Sequence, residues 1–284
     1  MRKKGPSKTA RKVALNIVTL GTKHGMEEVL PPGIVDATAK LLVESGVVGQ
    51  RAIDFSRSRM AVGIYLAFDW MMPGQFEAFA YRKSFCERQV RQSIEAGASQ
   101  VLMLGAGYDT LGWRIAPEFA NVNFFEIDHP ATARLKAIGI EAMGQPTNLH
   151  LIAEDLGERQ LAEVLHADAI WDLTAPTVIV AEALLMYLPP EAVRTLFEQC
   201  AAVTGPGSRI AFTFVGTRSD GRPDAGPWTW LVQCILNTSG EPWLWSIPPE
   251  ELGPFLKENN WTISPNQRAV SDKCGIEFFG VAVK

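Results

Sequence analysis

The sequence is poor in the residues that build covalent or metal frameworks: among 284 residues there are four cysteines and four histidines. Cys86, Cys200, Cys234 and Cys274 lie far apart, with no CxxC or other metal-ligand spacing. That excludes a disulfide scaffold and a zinc cluster, and predicts reduced core thiols in a cytoplasmic protein with no metal. A basic surplus is missing as well. The formal net charge is -4, which argues against a nucleic-acid partner, whose binder would carry a basic footprint. Long apolar runs are absent too. Those at 60–72 and 177–190 are interrupted by Asp69 and Glu182 and are too short to cross a bilayer, so no membrane partner is expected.

What the chain does have is apolar content, 47%, and length enough for one large domain or two small ones with a buried core. Its basic start, MRKKGPSKTARK, precedes VALNIVTLG, which contains Asn16 and Thr19 and offers no small-residue cleavage site. This predicts a solvated, frayed tail rather than a signal peptide. The first hundred residues read as helical. Ala10, Val13, Ala14, Ile17 and Val18 share one face, LPPG breaks the chain, and IVDATAKLLVES restarts it. A third helix is expected over about 54–72, ending at Pro73-Gly74, and a fourth over FEAFAYRKSFCERQVRQSIEAG.

From residue 100 short apolar runs alternate with helical segments: QVLML (100–104), NVNFFEI (121–127), LHLIA (149–153), TVIVA (177–181) and SRIAFTFV (208–215). Five strands separated by helices make a doubly wound α/β domain with right-handed crossovers. WTIS and IEFFGVAV, joined by a polar loop, predict an antiparallel C-terminal hairpin, giving a mostly parallel, seven-stranded, Rossmann-like sheet preceded by N-terminal helices. The expected division is 1–80 as N-terminal helices, 81–215 as α/β core, 216–249 as an insertion, and 250–284 as the helix and hairpin that complete the sheet.

Ligands of such sheets sit outside the carboxyl ends of the strands. Four successive strand ends here carry carboxylates: Asp109, then Glu126 and Asp128, then Asp155, then Glu182. Each alone is equally well a helix cap or a solvated loop residue. The loop Gly105-Ala106-Gly107-Tyr108-Asp109-Thr110 has threonine where a dinucleotide fingerprint has its third glycine, and Asp109 would repel a pyrophosphate. A ligand with a sulfonium, an ammonium and a ribose diol reverses the sign of that interaction, and S-adenosylmethionine has all three. Its carboxylate needs a cation. Arg82 is a candidate, but helical spacing alone reads Arg82, Lys83, Arg88 and Arg91 as a solvated face.

The ordered set QVLMLGAGYDTLGWRI, FFEIDHP followed by RLK, AEDL, and VAEALLMYLPPEAV resembles the leucine carboxyl methyltransferase family. That family belongs to the class I S-adenosylmethionine-dependent methyltransferases and includes bacterial O-methyltransferases of polyketide and other small-molecule pathways. The resemblance covers about 80–215 and continues through GEPWLWSIPPEELGPFLKENNW, where ENNW departs from the family's glycine before the aromatic residue. It implies that Arg82 holds the methionyl carboxylate and that Gly105 and Gly107 admit the backbone to the methionyl part. It further implies that Asp128 binds the ribose hydroxyls, with Glu126 as the fallback. Asp155 would then take the adenine amino group, with the Leu156 amide on a ring nitrogen, and Glu182 would lie against the ammonium. Tyr187 would line the path to the substrate, as the one catalytic candidate. The helical cap of 1–80 and the insertion at 216–249 would together cover the cofactor and substrate, with the basic tail and first helix as a lid.

The insertion holds Trp228, Trp230, Trp243 and Trp245, half of the eight tryptophans. They form either a satellite core or an aromatic wall for an apolar substrate, with Arg218 or Arg222 for an acidic group. Among the histidines, His129 reads as a cofactor-loop residue and His24 as a weak candidate base. With so few bases, the expected acceptor is a carboxylate, ionised already at neutral pH; a phenol, an alcohol or an amine remains the alternative. A nicotinamide-dependent reductase, which the missing glycine and Asp109 disfavour, and a non-catalytic cofactor binder are the competing classes.

Overall fold

A computed structural model describes residues 5–264, 270–271 and 276–284. Cys274, residues 1–4 of the basic start and most of the polar loop of the C-terminal hairpin lie outside the described residues. The chain opens with five helices: α1 (Lys8–Leu20), α2 (Ile34–Glu44), α3 (Gln50–Ser56), α4 (Arg59–Ala67) and α5 (Gln75–Glu95). From residue 5 onward the start of the chain is docked rather than frayed. Ser7 caps α1 through its side chain, and its own amide donates to Thr132 Oγ1 at 3.0 Å. The single helix expected over 54–72 is two. Ser58 leaves helical geometry and its hydroxyl accepts from the Ala61 amide, starting α4 afresh.

The α/β region follows as β1 (Gln100–Leu104), α6 (Leu111–Ile115), β2 (Asn123–Asp128), α7 (Pro130–Met143), β3 (Leu149–Ala153), α8 (Leu161–His166), β4 (Thr177–Ala181), α9 (Pro190–Ala202) and β5 (Arg209–Val215). Then come α10 (Thr229–Ser239), α11 (Leu252–Glu258), β6 (Thr262–Ile263), β7 (Val270–Ser271) and β8 (Glu277–Val283). The sheet runs β3-β2-β1-β4-β5-β8-β6, seven strands, with the two-residue β7 also pairing β8. β1 to β5 are parallel, and β8 is antiparallel to β5 and to β6. This is the doubly wound, mostly parallel sheet that the five apolar runs dictate, with an antiparallel edge. The inner strands β1 and β4 are buried along their whole length, which is why they read as continuous apolar runs rather than alternating ones.

One apolar cluster lies on each face of the sheet. Phe125, Phe197, Phe212 and Trp261 anchor the first. The second includes Val18 of α1, Leu41 and Leu42 of α2, and Phe85 and Val90 of α5, so the N-terminal helices share their core with the strands. Cys86 and Cys200 are buried as expected of core thiols, whereas Cys234 is exposed on α10, a helix within the insertion. At the ENNW departure, Asn260 takes the left-handed conformation at φ 66°, which asparagine tolerates in place of glycine.

Candidate functional site

A cavity of about 740 Å³ lies at the carboxyl ends of β1, β2, β3 and β4, roofed by the N-terminal half of α1. Asp109, Asp128, Asp155 and Glu182 all line it, as do Arg82, Leu156 and Tyr187. The loop after β1 passes under α1 at close range. Gly105 and Gly107 have φ 63° and 50°, and a Cβ on either would stand 3.0 Å from Leu184 Cδ1 or from Ala10 Cβ respectively. Side chains at these positions would be strained and would crowd the cavity, so glycine is required twice over. The Gly107 amide donates to Asp128 Oδ2 at 2.6 Å, tying the loop to the end of β2. Burial pushes the Asp128 carboxyl above the usual aspartate range, against the lowering effect of that amide and of Lys136. Glu126, two residues back on the same strand, is buried against Lys136 and does not line the cavity. The strand end presents Asp128 alone.

Across the cavity a charge cluster joins α5 to the strand ends. Arg82 Nε donates to Glu182 Oε1 at 2.8 Å, and its Nη1 donates to both oxygens of Glu277 on β8, at 3.0 and 3.2 Å. Lys83 Nζ stands 2.7 Å from Asp109 Oδ2 and 2.8 Å from Glu182 Oε1. The solvated face read from helical spacing is therefore corrected: Arg82 and Lys83 are buried, Arg91 pairs with Glu87 and Glu118, and only Arg88 is exposed. α5 has a polar buried stripe because it lies against the carboxylates of the sheet. Burial alone would raise the Asp109 carboxyl, but Lys83 outweighs it and holds the group well below the usual range. Asp109 Oδ1 also accepts the Leu111 amide at 2.9 Å, fixing the start of α6. Among the described residues, the buried Glu182 Oε2 has no hydrogen-bond partner. Ala183, next in sequence, is held at φ 48°, a strained conformation for alanine at the cavity wall.

At the β3 end, Asp155 Oδ1 accepts the Gly157 amide at 2.9 Å, and His129 Nε2 stands 3.7 Å from Asp155 Oδ2. His129 Nδ1 caps α7 by accepting the Ala131 amide, a loop role. His24 is fully exposed beside Glu27, away from the cavity. Burial raises the Tyr187 hydroxyl, which lies beside Trp243, Arg82 and Glu241.

The insertion is built differently from the expected aromatic wall. Trp228 and Trp230 are 38% and 67% exposed and do not line the cavity. They flank the start of α10, whose inward side is Thr229 and Val232, so helical periodicity turns both indoles outward. Trp228 meets Trp70 edge-on, with ring centroids 5.1 Å apart. Trp243 is half-buried outside the cavity wall, and Trp245 is core. Arg218 and Arg222 are exposed and also lie outside the cavity, Arg218 being 3.9 Å from Asp224 at a shallow surface pocket. The insertion instead contributes Glu241, buried in the cavity wall and accepting from Ser7 Oγ at 3.3 Å. The signal for it lay in Gly240, whose left-handed turn at φ 77° ends α10 and reverses the chain inward.

The model of the leucine carboxyl methyltransferase family matches residues 23–201. Three bacterial proteins, each named "putative S-adenosyl-L-methionine-dependent methyltransferase", are similar to the chain. One from Mycolicibacterium paratuberculosis is 27% identical over 249 residues, 82% of this chain and 78% of that protein. A second from the same organism is 32% identical over 140 residues, 49% of this chain and 43% of that protein. One from Mycobacterium tuberculosis is 35% identical over 176 residues, 61% of this chain and 50% of that protein, so in the last two the match spans about half of the relative. Among solved structures, a putative methyltransferase from Thermobifida fusca has the same fold, with a TM-score of 0.60 at 17% identity over 92% of this chain and 97% of that one.

Proposed function

This chain belongs to the leucine carboxyl methyltransferase family, and from that premise we propose that it transfers a methyl group from S-adenosylmethionine to an oxygen of a small-molecule acceptor. One observation carries the reading: Asp109, Asp128, Asp155 and Glu182, from four successive strand ends, converge on a single cavity. Such a rim repels a pyrophosphate and suits a ligand that brings a sulfonium, an ammonium and a ribose diol.

The residues present fit that group. The buried Glu182 Oε2, without a hydrogen-bond partner among the described residues, supplies an acceptor for the ammonium. Arg82 and Lys83 stand at the same end for the carboxylate. The glycine loop leaves open the volume that two Cβ atoms would fill. Asp128 accepts from the ribose hydroxyls, and Asp155 with the Leu156 amide reads the adenine edge. The bound group supplies a methyl carbon activated by its sulfonium. What the chain adds is alignment and the exclusion of water, which α1 provides by laying Ala10, Val13 and Ile17 over the cavity. Tyr187 faces the acceptor side. The expectation of a carboxylate acceptor drew on the scarcity of bases and on Arg218 and Arg222, and the two arginines do not line the cavity.

Calorimetric titration with S-adenosylmethionine, S-adenosylhomocysteine and NADH tests this reading. The first two are expected to bind and NADH is not. Asp128→Ala is expected to weaken them roughly tenfold to hundredfold, the worth of a charged hydrogen bond or two. Binding of NADH in preference to S-adenosylhomocysteine would overturn the proposal and favour a reductase. Cofactor binding without transfer of labelled methyl to any of a panel of acids, phenols, alcohols and amines would favour a non-catalytic binder.

A further inference from the structure

Among the described residues, twelve large apolar side chains are exposed, and nine of them belong to α3, to α4 with the turn after it, and to α10 with its N-cap. None of the nine lines the cavity. Trp70, just after α4, meets Trp228, the N-cap of α10, edge-on, which joins the two helices into one surface. No charged residue occurs from Met60 to Phe68 or within α10. Both helices are also thinly packed: Ala61 is the buried residue of α4, and Thr229 and Val232 are those of α10 among the described residues. Helices of nine and eleven residues are marginal in water without tertiary packing. Two that turn Met60, Ile64 and Trp230 to solvent lack the cover that such packing would give.

We infer that this surface is the contact between two copies of the chain, with α4 and α10 of one packed against the same helices of the other about a two-fold axis. Area is the first argument for a second copy. At roughly 200 Å² for a fully exposed large side chain, the exposed parts of the nine come to about 900 Å². The largest apolar patch on a typical monomer is about 300–600 Å². Each partner in a stable interface contributes about 800 Å². Charge is the second argument. A two-fold contact sets a surface against itself, so any net charge on it would repel its own copy. This surface is uncharged at its centre, and its rim carries both signs: Arg51, Asp54 and Arg59 are exposed and Asp69 is half-buried. Such a rim lets an arginine of one copy meet an aspartate of the other. The same rim disfavours a membrane, since anionic lipid draws a basic surplus, and here the two signs balance, with Arg57 already paired to Asp36. Trp70, Trp228 and Trp230 are of the residue type that carries most of the energy in protein contacts.

Sedimentation velocity of the full chain over a wide concentration range tests the contact, using wild type, Met60→Glu, Trp230→Glu and, as a control at an exposed apolar position outside the surface, Ile170→Glu. Wild type is expected to form a dimer. Met60→Glu and Trp230→Glu are each expected to raise the dissociation constant at least about tenfold, and Ile170→Glu to leave it unchanged. Tryptophan emission of wild type is expected to move to longer wavelength as dilution separates the copies and wets the indoles. Thermal unfolding shows whether each variant is folded; should a glutamate prevent folding, Met60→Ser and Trp230→Ser read the same contact without adding a charge. A wild type that stays monomeric at the highest concentration would overturn the inference. So would a dimer whose dissociation constant is the same in the variants at both positions, or growth beyond a dimer, the mark of a head-to-tail contact. Monomeric wild type that sediments with vesicles of phosphatidylcholine and phosphatidylglycerol would assign the surface to a membrane instead.

Discussion

Two oxygens of Asp128 have different work. Oδ2 accepts the Gly107 amide, and in the proposed function a ribose diol would need the carboxylate as a whole to stay ionised. Burial has raised this group above the usual aspartate range, with Gly107, Lys136 and His129 opposing the rise and Tyr108 standing nearby. Binding of the diol favours the charged form, so affinity is full above the raised value and falls as pH drops through it. Calorimetry from pH 8 down to pH 5 is expected to show cofactor affinity starting to fall above about pH 4, where an ordinary aspartate titrates, with Asp128→Asn weak and flatter over the same range. A wild-type profile as flat as that of the asparagine variant would remove Asp128 from the diol. The position of Asp128 was legible in the sequence, because a residue that ends an apolar strand before a Pro-started helix has one place to be. The fate of Glu126 was not. Strand alternation gives 126 and 128 the same face, and only the packing of Lys136 from α7 decides that the inner one is neutralised and sealed off.

At the scale of elements, α5 shows why helical spacing fails where a helix is buried on a polar surface. Its sequence has charges all round, which reads as solvent exposure, yet Arg82, Lys83 and Glu87 are each buried against a partner of opposite charge. Partners about one hundred residues away, such as Glu182, leave no local trace in the sequence. The Lys83–Asp109 pair joins α5 to the loop after β1 and holds Asp109 ionised well below the usual range. A depressed carboxylate contributes stability above its unfolded value, and that contribution is lost as pH falls. Asp109→Asn keeps a side-chain oxygen for the Leu111 amide but removes the charge from a largely buried pair, at a cost of about 3 kcal/mol near neutral pH. Urea unfolding is expected to show that deficit at pH 7 and a smaller one below about pH 4. A deficit that does not change with pH would assign the loss to packing. By contrast, the strands were legible almost to the residue, since buried parallel strands carry their signal in short runs of apolar side chains. α10 was missed because its tryptophans suggested an aromatic wall; its exposed and buried positions follow a helical period that the chemistry of indole obscured.

For the molecule as a whole, the cavity sits where independent layers meet. Its floor is strand ends embedded in both apolar clusters, and its roof is α1, fixed at its start by Ser7 to Thr132 and Glu241 and further along by Val18 in the core. A ligand seated there would bridge the roof at Ala10 and Val13 and the floor at Asp128 and Glu182, adding to the cohesion of the two. Binding to the folded state alone at a hundredfold excess over Kd stabilises by about 2.7 kcal/mol. At about 2 °C per kcal/mol for a chain of this size, S-adenosylhomocysteine is expected to raise the Tm by roughly 5 °C, and NADH to leave it unchanged. The same layering says where the gain is felt. Entry of a ligand by displacement of the first turns of α1, whose outward residues Arg11 and Lys12 are exposed, would require those turns to open in the free protein. Hydrogen exchange is expected to slow most over residues 8–14 when S-adenosylhomocysteine is bound, and less over α5, which is already locked by its buried ion pairs. A rise in Tm with no change in α1 protection would mean that the roof is rigid and that the ligand enters beside it; a rise of equal size with NADH would mean that the cavity does not discriminate by charge at all.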